Sequence, residues 1–240
     1  MTHVHVAGLT KAFGDRTVLD GVDFDVAPGE FVSVIGPSGS GKSTIFNMIA
    51  GLDTPDAGVV EAPKSAYMPQ KDLLFPWRTV LDNTTLGLEI AGTNKKEARA
   101  RARELFPVFG LDGYEKARPS EMSGGMRQRA ALLRTVVQGR EVLLLDEPFG
   151  ALDSLTRTSM QEWLQNVWLD YRWTVLMITH DIREAVYLSD RVIVLSDKPA
   201  RVRRQVEVPL PRPRRLDVVT TPEFARVESE LMEVLISRSY

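Results

Sequence analysis

Cysteine is absent from this chain of 240 residues, and so is any apolar run longer than four residues. Without cysteine the protein has no disulfide, no thiolate nucleophile and no cysteine-ligated metal, which fits a reducing compartment. A membrane-spanning helix needs about 20 consecutive apolar residues, so none is predicted. Residues 1–6 contain neither a basic nor an apolar segment of the secretory kind. We therefore expect a cytoplasmic protein.

An excess of either charge is also lacking. Thirty Lys and Arg residues stand against 32 Asp and Glu residues, for a net charge of −2 at pH 7. Proteins that bind nucleic acid usually carry a basic surplus, so we predict no nucleic-acid partner. Apolar residues make up 43% and charged residues 26% of the sequence, which is typical of a folded chain and excludes disorder. The length allows one sizeable core or one domain with an inserted subdomain.

Hydrophobic periodicity predicts an α/β fold with a mainly parallel sheet. The first 35 residues read as strands, with alternating apolar and acidic residues before a compact apolar run at 31–35. From residue 126 onward helix and strand patterns alternate, which produces parallel strands covered by helices. Segment 142–145 lacks alternation and predicts a strand buried on both faces. A last helix is expected to begin with Thr221 as N-cap and Pro222 at its first position.

Two clusters of large side chains are expected to be structural. Trp163, Trp168 and Trp173 lie close together in sequence, and core packing explains them better than stacking on nucleic-acid bases. Six arginines within residues 201–215 are interleaved with prolines. This pattern predicts a solvated strand and linker, not a ligand site.

A phosphate-loop pattern, Gly-x-x-x-x-Gly-Lys-Ser, stands between a predicted strand and a predicted helix. Its glycines let the backbone curl so that the N–H groups point inward and form an anion nest, which the following helix N-terminus completes. Lys42 adds a positive charge at the β and γ phosphates, and the Ser43 hydroxyl can ligate Mg²⁺. Nucleoside triphosphate binding is thus predicted for Gly36, Pro37, Ser38, Gly39, Ser40, Gly41, Lys42 and Ser43.

The sequence excludes a GTPase. Such an enzyme would also need a guanine-reading Asn-Lys-x-Asp motif after a strand. The nearest string is Asn-Lys-Lys-Glu at 94–97, which ends in Glu and opens an amphipathic segment. Asn94 and Glu97 instead stand where a capping box would begin a helix over residues 95–106.

Acidic and polar residues follow the predicted buried strands. Asp146 and Glu147 come directly after 142–145, at the edge where α/β folds bind ligands, so Asp146 is predicted to hold Mg²⁺ or its water. Glu147 is the natural general base for an attacking water. His180 ends the extended segment 174–179, where an imidazole can reach a γ-phosphate.

A second anion site is predicted at Met-Ser-Gly-Gly-Met, residues 122–126, which precede a helix. The free N–H groups of a helix N-terminus and the Ser123 hydroxyl can bind a phosphate there. One chain with two phosphate sites suggests that two chains share each nucleotide.

Taken in this order, these motifs resemble the nucleotide-binding subunit of an ATP-binding cassette (ABC) transporter over essentially the whole chain. The resemblance makes 36–44 the Walker A loop, Gln70 the Q-loop residue and 123–126 the signature, although Met122 and Met126 stand where Leu and Gln are commonest. For ATP it implies contacts from Phe13, which would stack on adenine, from residues Gly36 through Thr44, and from Ser123, Gly124, Gly125 and the D-loop residue Asp153. For Mg²⁺ it implies Ser43, Gln70 and Asp146, and for catalysis Glu147, His180 and Gln70.

The resemblance also implies an architecture and partners. One ABC ATPase domain would span 1–240, with a P-loop NTPase core at 1–70 and 131–240 and an inserted helical subdomain at 71–130. An antiparallel β subdomain would lie at the N-terminus. Two cassettes, expected to form a homodimer, would close head-to-tail over two MgATP, and the helical subdomain would engage a membrane permease.

Smaller motifs resemble those of importers for nitrate, sulfonate and taurine, and thiamine-precursor importers look similar. They are Leu-Phe-Pro-Trp at 74–77, Ser-Gly-Gly-Met at 123–126 and Leu-Pro-Arg-Pro-Arg at 210–214. This implies a protein peripheral on the inner face of the cell membrane, served indirectly by a periplasmic or extracellular solute-binding protein. The alternative is a soluble ABC-type ATPase clamp without a permease. A cassette that only binds ATP is disfavoured because Glu147 and His180 are both intact.

Overall fold

The computed structural model describes residues 3–237, and over this range the chain forms nine strands and eight α-helices. The strands are β1 (Val4–Phe13), β2 (Arg16–Val26), β3 (Phe31–Ile35), β4 (Ala57–Glu61), β5 (Ser65–Met68), β6 (Val142–Asp146), β7 (Thr174–Ile178), β8 (Arg191–Leu195) and β9 (Val202–Glu207). The helices are α1 (Lys42–Ile49), α2 (Val80–Thr84), α3 (Leu86–Ile90), α4 (Lys95–Leu105), α5 (Gly124–Val136), α6 (Ser154–Tyr171), α7 (Ile182–Leu188) and α8 (Pro222–Ile236).

The strands form two sheets, which confirms the predicted α/β fold with a mainly parallel sheet. A three-stranded antiparallel sheet near the N-terminus has the order β2-β1-β4. The second sheet has the order β5-β6-β7-β3-β8-β9, and its strands are parallel except β9, which pairs antiparallel with β8 at the edge. The carboxyl ends of β3, β5, β6 and β7 therefore meet at one edge.

Apolar side chains cover both faces of the six-stranded sheet. On β3, Phe31 and Ile35 point into one core, while Val32 and Val34 point into the other. Burial on both faces explains why the central strands are continuous apolar runs without alternation. Trp168 is buried and packs edge-on against Phe31, with ring centroids 5.8 Å apart, so its predicted core role is confirmed.

Several local predictions agree with the structure at the level of individual residues. Thr221 caps α8 by accepting a hydrogen bond from the Phe224 N–H. Asn94 caps α4, but Glu97 forms an ion pair with Arg101, 2.6 Å away, in place of the second half of the predicted capping box. Helix α5 begins at the signature glycines, two residues earlier than its apolar pattern, because glycine adds no apolar side chain to that pattern.

The prediction of a solvated basic segment at 201–215 is wrong for two of its arginines. Arg212 lies over the Trp168 ring at 4.3 Å and forms an ion pair with Asp190 at 2.9 Å. Arg214 is 2% exposed. A helix leaves its last carbonyls unpaired, and the Arg214 guanidinium satisfies those of α7. The carbonyls that accept from Arg214 belong to Val186, Tyr187, Ser189, Val208 and Leu210.

Helices α2 to α5 occupy the stretch between β5 and β6. The division into 1–70 with 131–240 and 71–130 stays a prediction, and α5 runs continuously through residue 130. Within residues 3–237, none of the helices combines the length and the apolar character that crossing a membrane requires.

Candidate functional site

The carboxyl edge of the parallel strands forms a cavity of about 670 Å³. The loop between β3 and α1 lies at its floor, Gln70 follows β5, Glu147 follows β6 and His180 follows β7. Residues far apart in sequence meet there because parallel strands end at a common edge. The predicted site residues that line this cavity are Phe13, Gly36, Ser38, Gly39, Ser40, Gly41, Lys42, Ser43, Thr44, Gln70, Glu147 and His180.

The phosphate loop is held in its curled form by glycine and by a lysine. Gly41 has φ +93, and a Cβ there would lie 2.7 Å from Leu19 and 2.9 Å from Val18. The Lys42 ammonium donates hydrogen bonds to the carbonyls of Gly36 and Pro37, both at 2.9 Å. Burial lowers the pKa of Lys42, while the nearby carboxylates of Glu147 and Asp146 oppose that shift. The ammonium thus ties the end of the loop to its beginning.

Asp146 is the buried carboxylate next to this loop. It accepts hydrogen bonds from Tyr67, 3.0 Å away, and from the Ser43 hydroxyl. Burial raises the pKa of Asp146, although both hydrogen bonds act in the opposite direction. A hydroxyl and a carboxylate side by side are oxygen ligands of the kind that Mg²⁺ prefers.

Glu147 is contacted by two other predicted catalytic residues. Its Oε2 accepts a hydrogen bond from Gln70 Nε2 at 2.8 Å and lies 3.4 Å from His180 Nδ1. Its backbone has φ +46, a conformation that residues other than glycine rarely adopt. The Glu147 N–H donates to the Ile178 carbonyl, which holds this backbone against the end of β7. Strain of this kind is often found at functional sites.

The other predicted ATP-contacting residues lie outside this cavity. Ser123 caps α5 and Asp153 caps α6, each accepting from a backbone N–H of its own helix. Gly125 packs so closely on α6 that a Cβ would lie 2.8 Å from Thr156. Gly124 lines a neighbouring cavity, which Gln70 and Glu147 also line. Within one chain the signature therefore borders this neighbouring cavity and does not line the cavity of the phosphate loop.

Four of the described residues at the site are not predicted from the sequence. Val18, Ile178 and Lys198 line the cavity, and Lys198 approaches the phosphate loop at Gly39. Tyr67 reaches Asp146 from the edge strand β5. No spacing pattern points to these residues, because each comes from a separate strand or from the turn after one.

Comparison with known proteins agrees with this geometry. The family model described as ABC transporter matches residues 19–150. The chain is 44% identical over 227 residues to the formylaminopyrimidine import ATP-binding protein ThiZ of Halalkalibacterium halodurans, covering 92% of this chain and 91% of that protein. It is 48% identical over 216 residues to the aliphatic sulfonates import ATP-binding protein SsuB 1 of Rhodococcus jostii, covering 87% of this chain and 84% of that protein.

Solved structures show the same fold. The dimeric structure of MJ0796, a bacterial ABC transporter cassette, superposes with a TM-score of 0.74 at 31% identity, covering 85% of this chain and 98% of that one. A post-hydrolysis state of that cassette, bound to ADP and Pi, gives a TM-score of 0.73 at the same identity. A family match over more than half of the chain and relatives above 40% identity agree with the motifs at the cavity. The chain belongs to the ABC transporter family, as an ATP-binding cassette.

Proposed function

We propose that this protein binds and hydrolyses MgATP as the energising subunit of an importer. The observation that carries the proposal is the convergence of the phosphate loop, Gln70, Glu147 and His180 on one cavity. The chemistry needs little covalent work from the protein, because phosphoryl transfer to water is accelerated mainly by positioning and by electrostatic stabilisation.

The phosphate loop is proposed to hold the triphosphate. Its N–H groups and the start of α1 offer hydrogen bonds and a partial positive charge to an anion. The Lys42 ammonium, which donates to the Gly36 and Pro37 carbonyls, would exchange these acceptors for phosphate oxygens. Charged acceptors bind an ammonium more strongly than neutral carbonyls do. Phe13 lines the cavity and is 53% exposed, so its ring would stack on adenine there.

Ser43 and Asp146 are the residues that would hold Mg²⁺, with Gln70 close by. Within residues 3–237 there is no cluster of three or more His, Cys, Asp or Glu suited to a metal ion. Mg²⁺ commonly binds through one or two protein groups together with substrate phosphates, so the pair Ser43 and Asp146 fits it. When bound, this ion would neutralise charge on the β and γ phosphates.

Glu147 is proposed as the general base. Gln70 and the histidine after β7 hold one oxygen of its carboxylate, which leaves the other free to accept a proton from water. His180, whose side chain is largely exposed and lines the cavity beside Glu147, would contact the γ-phosphate. Gln70 contacts Glu147 and directly precedes the segment that begins with Lys71. A movement of that segment would therefore change the contact between Gln70 and the Glu147 carboxylate.

A second cassette is proposed to complete each site. Ser123, Gly124 and Asp153 lie outside the chain's own phosphate cavity, so a second copy placed head-to-tail would bring them to the triphosphate. The solved structures of MJ0796 are dimeric, which supports this arrangement. A homodimer is the simplest form of it.

An apolar groove is the proposed permease contact. It lies between β5, the segment after Gln70 and helices α3 and α5, and Leu73, Phe75 and Ile90 are among the side chains that line it. Ile90 is 79% exposed, and Trp77, which stacks on Phe75 beside the groove, is 69% exposed. Large exposed apolar side chains in one place are typical of a protein interface. We therefore place the protein on the inner face of the membrane, bound to permease subunits.

The names of the relatives support a solute class. They describe import of aliphatic sulfonates and of formylaminopyrimidine. We propose uptake of a small organic or anionic solute of the nitrate, sulfonate, taurine or pyrimidine-precursor type. A periplasmic or extracellular solute-binding protein would deliver the solute to the permease, and this chain would meet it only indirectly.

A mild purification tests the importer. The chain is tagged in its native cell, the membranes are solubilised gently with ATP present, and the proteins retained with the tag are identified and quantified. A polytopic permease in roughly equal amount is expected. Recovery from the soluble fraction alone, without a membrane partner, would overturn the importer in favour of the soluble clamp.

Groove variants make this test specific. The double variant Trp77→Ala with Ile90→Ser should lose the permease and keep the ATPase activity of the isolated chain. Leu52→Ser is the matched control, because Leu52 is 67% exposed but lies after α1, away from the groove. A groove variant that retains the permease as fully as this control would contradict the assigned surface.

A further inference from the structure

Glu184 is a buried carboxyl for which the proposed hydrolysis has no use. It lies on α7, four positions after His180, and is 6% exposed. Its hydrogen-bond partners are the neutral side chains of Thr179 and Gln161, and it does not line the phosphate cavity. Burial raises the pKa of Glu184 to about 7. A buried carboxyl without an ion-pair partner costs stability, so a function for it has to be sought in what it contacts.

Thr179 connects this carboxyl to the turn that carries His180. The Thr179 hydroxyl donates to Glu184 Oε2 and accepts from the backbone N–H of Asp181 at 3.0 Å. Thr179 precedes His180 and Asp181 follows it, so one hydroxyl spans both sides of the histidine. Because the hydroxyl is itself anchored by Glu184, the backbone of the turn is fixed, and the imidazole is directed to within 3.4 Å of Glu147.

Gln161 connects the same carboxyl to α6. Its Nε2 lies 3.4 Å from Glu184 Oε1. A second contact runs parallel to it, since Arg157 of α6 lies 3.9 Å from the Asp181 carboxylate. The residue that caps α6 is Asp153, which is the predicted D-loop residue. The start of α6 and the histidine turn are thus linked side chain to side chain.

We propose that Glu184 is a positioning residue for ATP hydrolysis: through Thr179 it sets the direction of His180, and through Gln161 it couples that direction to the position of α6. The inference rests on the proposed function, since it requires His180 to take part in hydrolysis. Its consequence is that a displacement at Asp153, where a second cassette would meet the chain, changes the placement of the histidine.

The test uses purified protein and steady-state ATPase kinetics, with each variant made in the wild-type and in the His180→Ala background. Thr179→Val removes the hydroxyl at nearly constant volume, and Glu184→Ala removes the anchor. Each should lower kcat about 10-fold or more in the wild-type background and leave KM for ATP within about twofold, because a displaced group costs rate more than binding. Neither should lower kcat further once His180 is absent.

Conservative variants and a matched control exclude a general packing defect. Thr179→Ser keeps the hydroxyl donor. Glu184→Gln keeps an acceptor for Thr179, and its new amide N–H can donate to Gln161 once the Gln161 amide is reversed, so both variants should retain kcat within about threefold. Gln161→Leu should lower kcat like Glu184→Ala. Gln165→Leu is its control, because Gln165 is buried one turn along α6 but bonds to Tyr187 and Arg214 instead; its kcat should stay near wild type.

The outcomes separate this inference from the proposed function. A wild-type kcat in the His180→Ala variant would overturn both the role of His180 in hydrolysis and its positioning by Glu184. If the His180→Ala variant has a low kcat while the Thr179→Val variant keeps the wild-type kcat, the positioning by Glu184 alone is overturned. Equal losses from Thr179→Val in both backgrounds would show an effect that does not pass through His180. Should Glu184→Ala fail to fold, as judged by thermal melting, the Thr179 and Gln161 variants decide the result.

Discussion

Gln70 donates a hydrogen bond from Nε2 to Glu147 Oε2 over 2.8 Å, although 77 positions separate the two residues in the chain. Gln70 follows the edge strand β5, and Glu147 follows its neighbour β6. The register of these two strands therefore determines that the amide meets the carboxylate. Gln70, the predicted Q-loop residue, thus holds the proposed general base. A movement of this loop would therefore move the Glu147 carboxylate.

Replacing Glu147 by Gln should slow ATP hydrolysis by at least about 100-fold, because general-base catalysis contributes roughly that much. ATP binding should persist, so ATP should trap a dimer that size-exclusion chromatography resolves. Glu141→Gln, at an exposed position directly before β6, serves as the control. Unchanged turnover in the Glu147→Gln variant would contradict the assignment of Glu147 as the general base.

Lys42→Ala should weaken ATP binding by roughly 100-fold, since a charged hydrogen-bond donor at a phosphate contributes about 1.5–3 kcal/mol. Fluorescence titration with a labelled ATP analogue measures the affinity. The control is Lys64→Ala, an exposed lysine outside the cavity. Full affinity in the Lys42 variant would count against the phosphate-loop interpretation.

Tyr67→Phe should raise the Mg²⁺ concentration needed for half-maximal ATPase activity by roughly 10-fold. The Tyr67 hydroxyl orients Asp146 from 3.0 Å, and loss of such an outer contact commonly costs that much metal affinity. A Mg²⁺ titration at saturating ATP is the measurement. Tyr171→Phe provides the comparison, because Tyr171 is half-exposed and stacks on Trp173, away from the site. The same Mg²⁺ requirement in both variants would show that Asp146 needs no support from Tyr67.

Glu184→Gln should make the protein more stable than wild type, and increasingly so from pH 5 to pH 8. Burial raises the pKa of Glu184 from 4.5 to about 7, with Asp181 raising it further and Thr179, Gln161 and Arg157 lowering it. The folded state then binds the proton more tightly than the unfolded chain. The contribution of Glu184 to the free energy of unfolding of the wild type is therefore fully present below pH 4.5. It is lost as the pH rises to about 7, by on the order of a few kcal/mol.

Thermal melting across this pH range measures the Glu184 effect. The difference in Tm between variant and wild type should grow by several degrees with rising pH, given about 2–4 °C per kcal/mol for a chain of this size. A difference that stays constant with pH would contradict the raised pKa, whatever its size at any single pH.

Arg214→Met should lower the free energy of unfolding by about 3–5 kcal/mol, because five backbone carbonyls would lose their donor in a buried place. Urea unfolding followed by circular dichroism tests this. Arg215→Met is a close control, since the neighbouring Arg215 is exposed. Equal stability of the two variants would mean that other groups satisfy those carbonyls.

Local chemistry made much of the fold and site predictable. The phosphate loop depends on glycines and a lysine at fixed spacing, so its place between a strand and a helix follows from residues 36–43 alone. The Thr221 cap and the strand at 142–145 are equally local, because capping depends on one turn and burial on a short apolar run. Asp146, Glu147 and His180 were predicted because strand ends converge in any parallel sheet.

Tertiary structure alone decided the contacts between distant segments. Arg214 has the sequence context of a solvated linker, yet it is buried because the unpaired carbonyls at the end of α7 lie where its guanidinium can reach them. Tyr67 reaches Asp146 from the neighbouring strand β5, and Lys198 approaches the phosphate loop from the turn after β8. Glu184 and Gln161 meet through the packing of α6 on α7. Sequence patterns record short-range conformational preference and burial, whereas these pairs depend on the register and packing of whole elements, which no local pattern encodes.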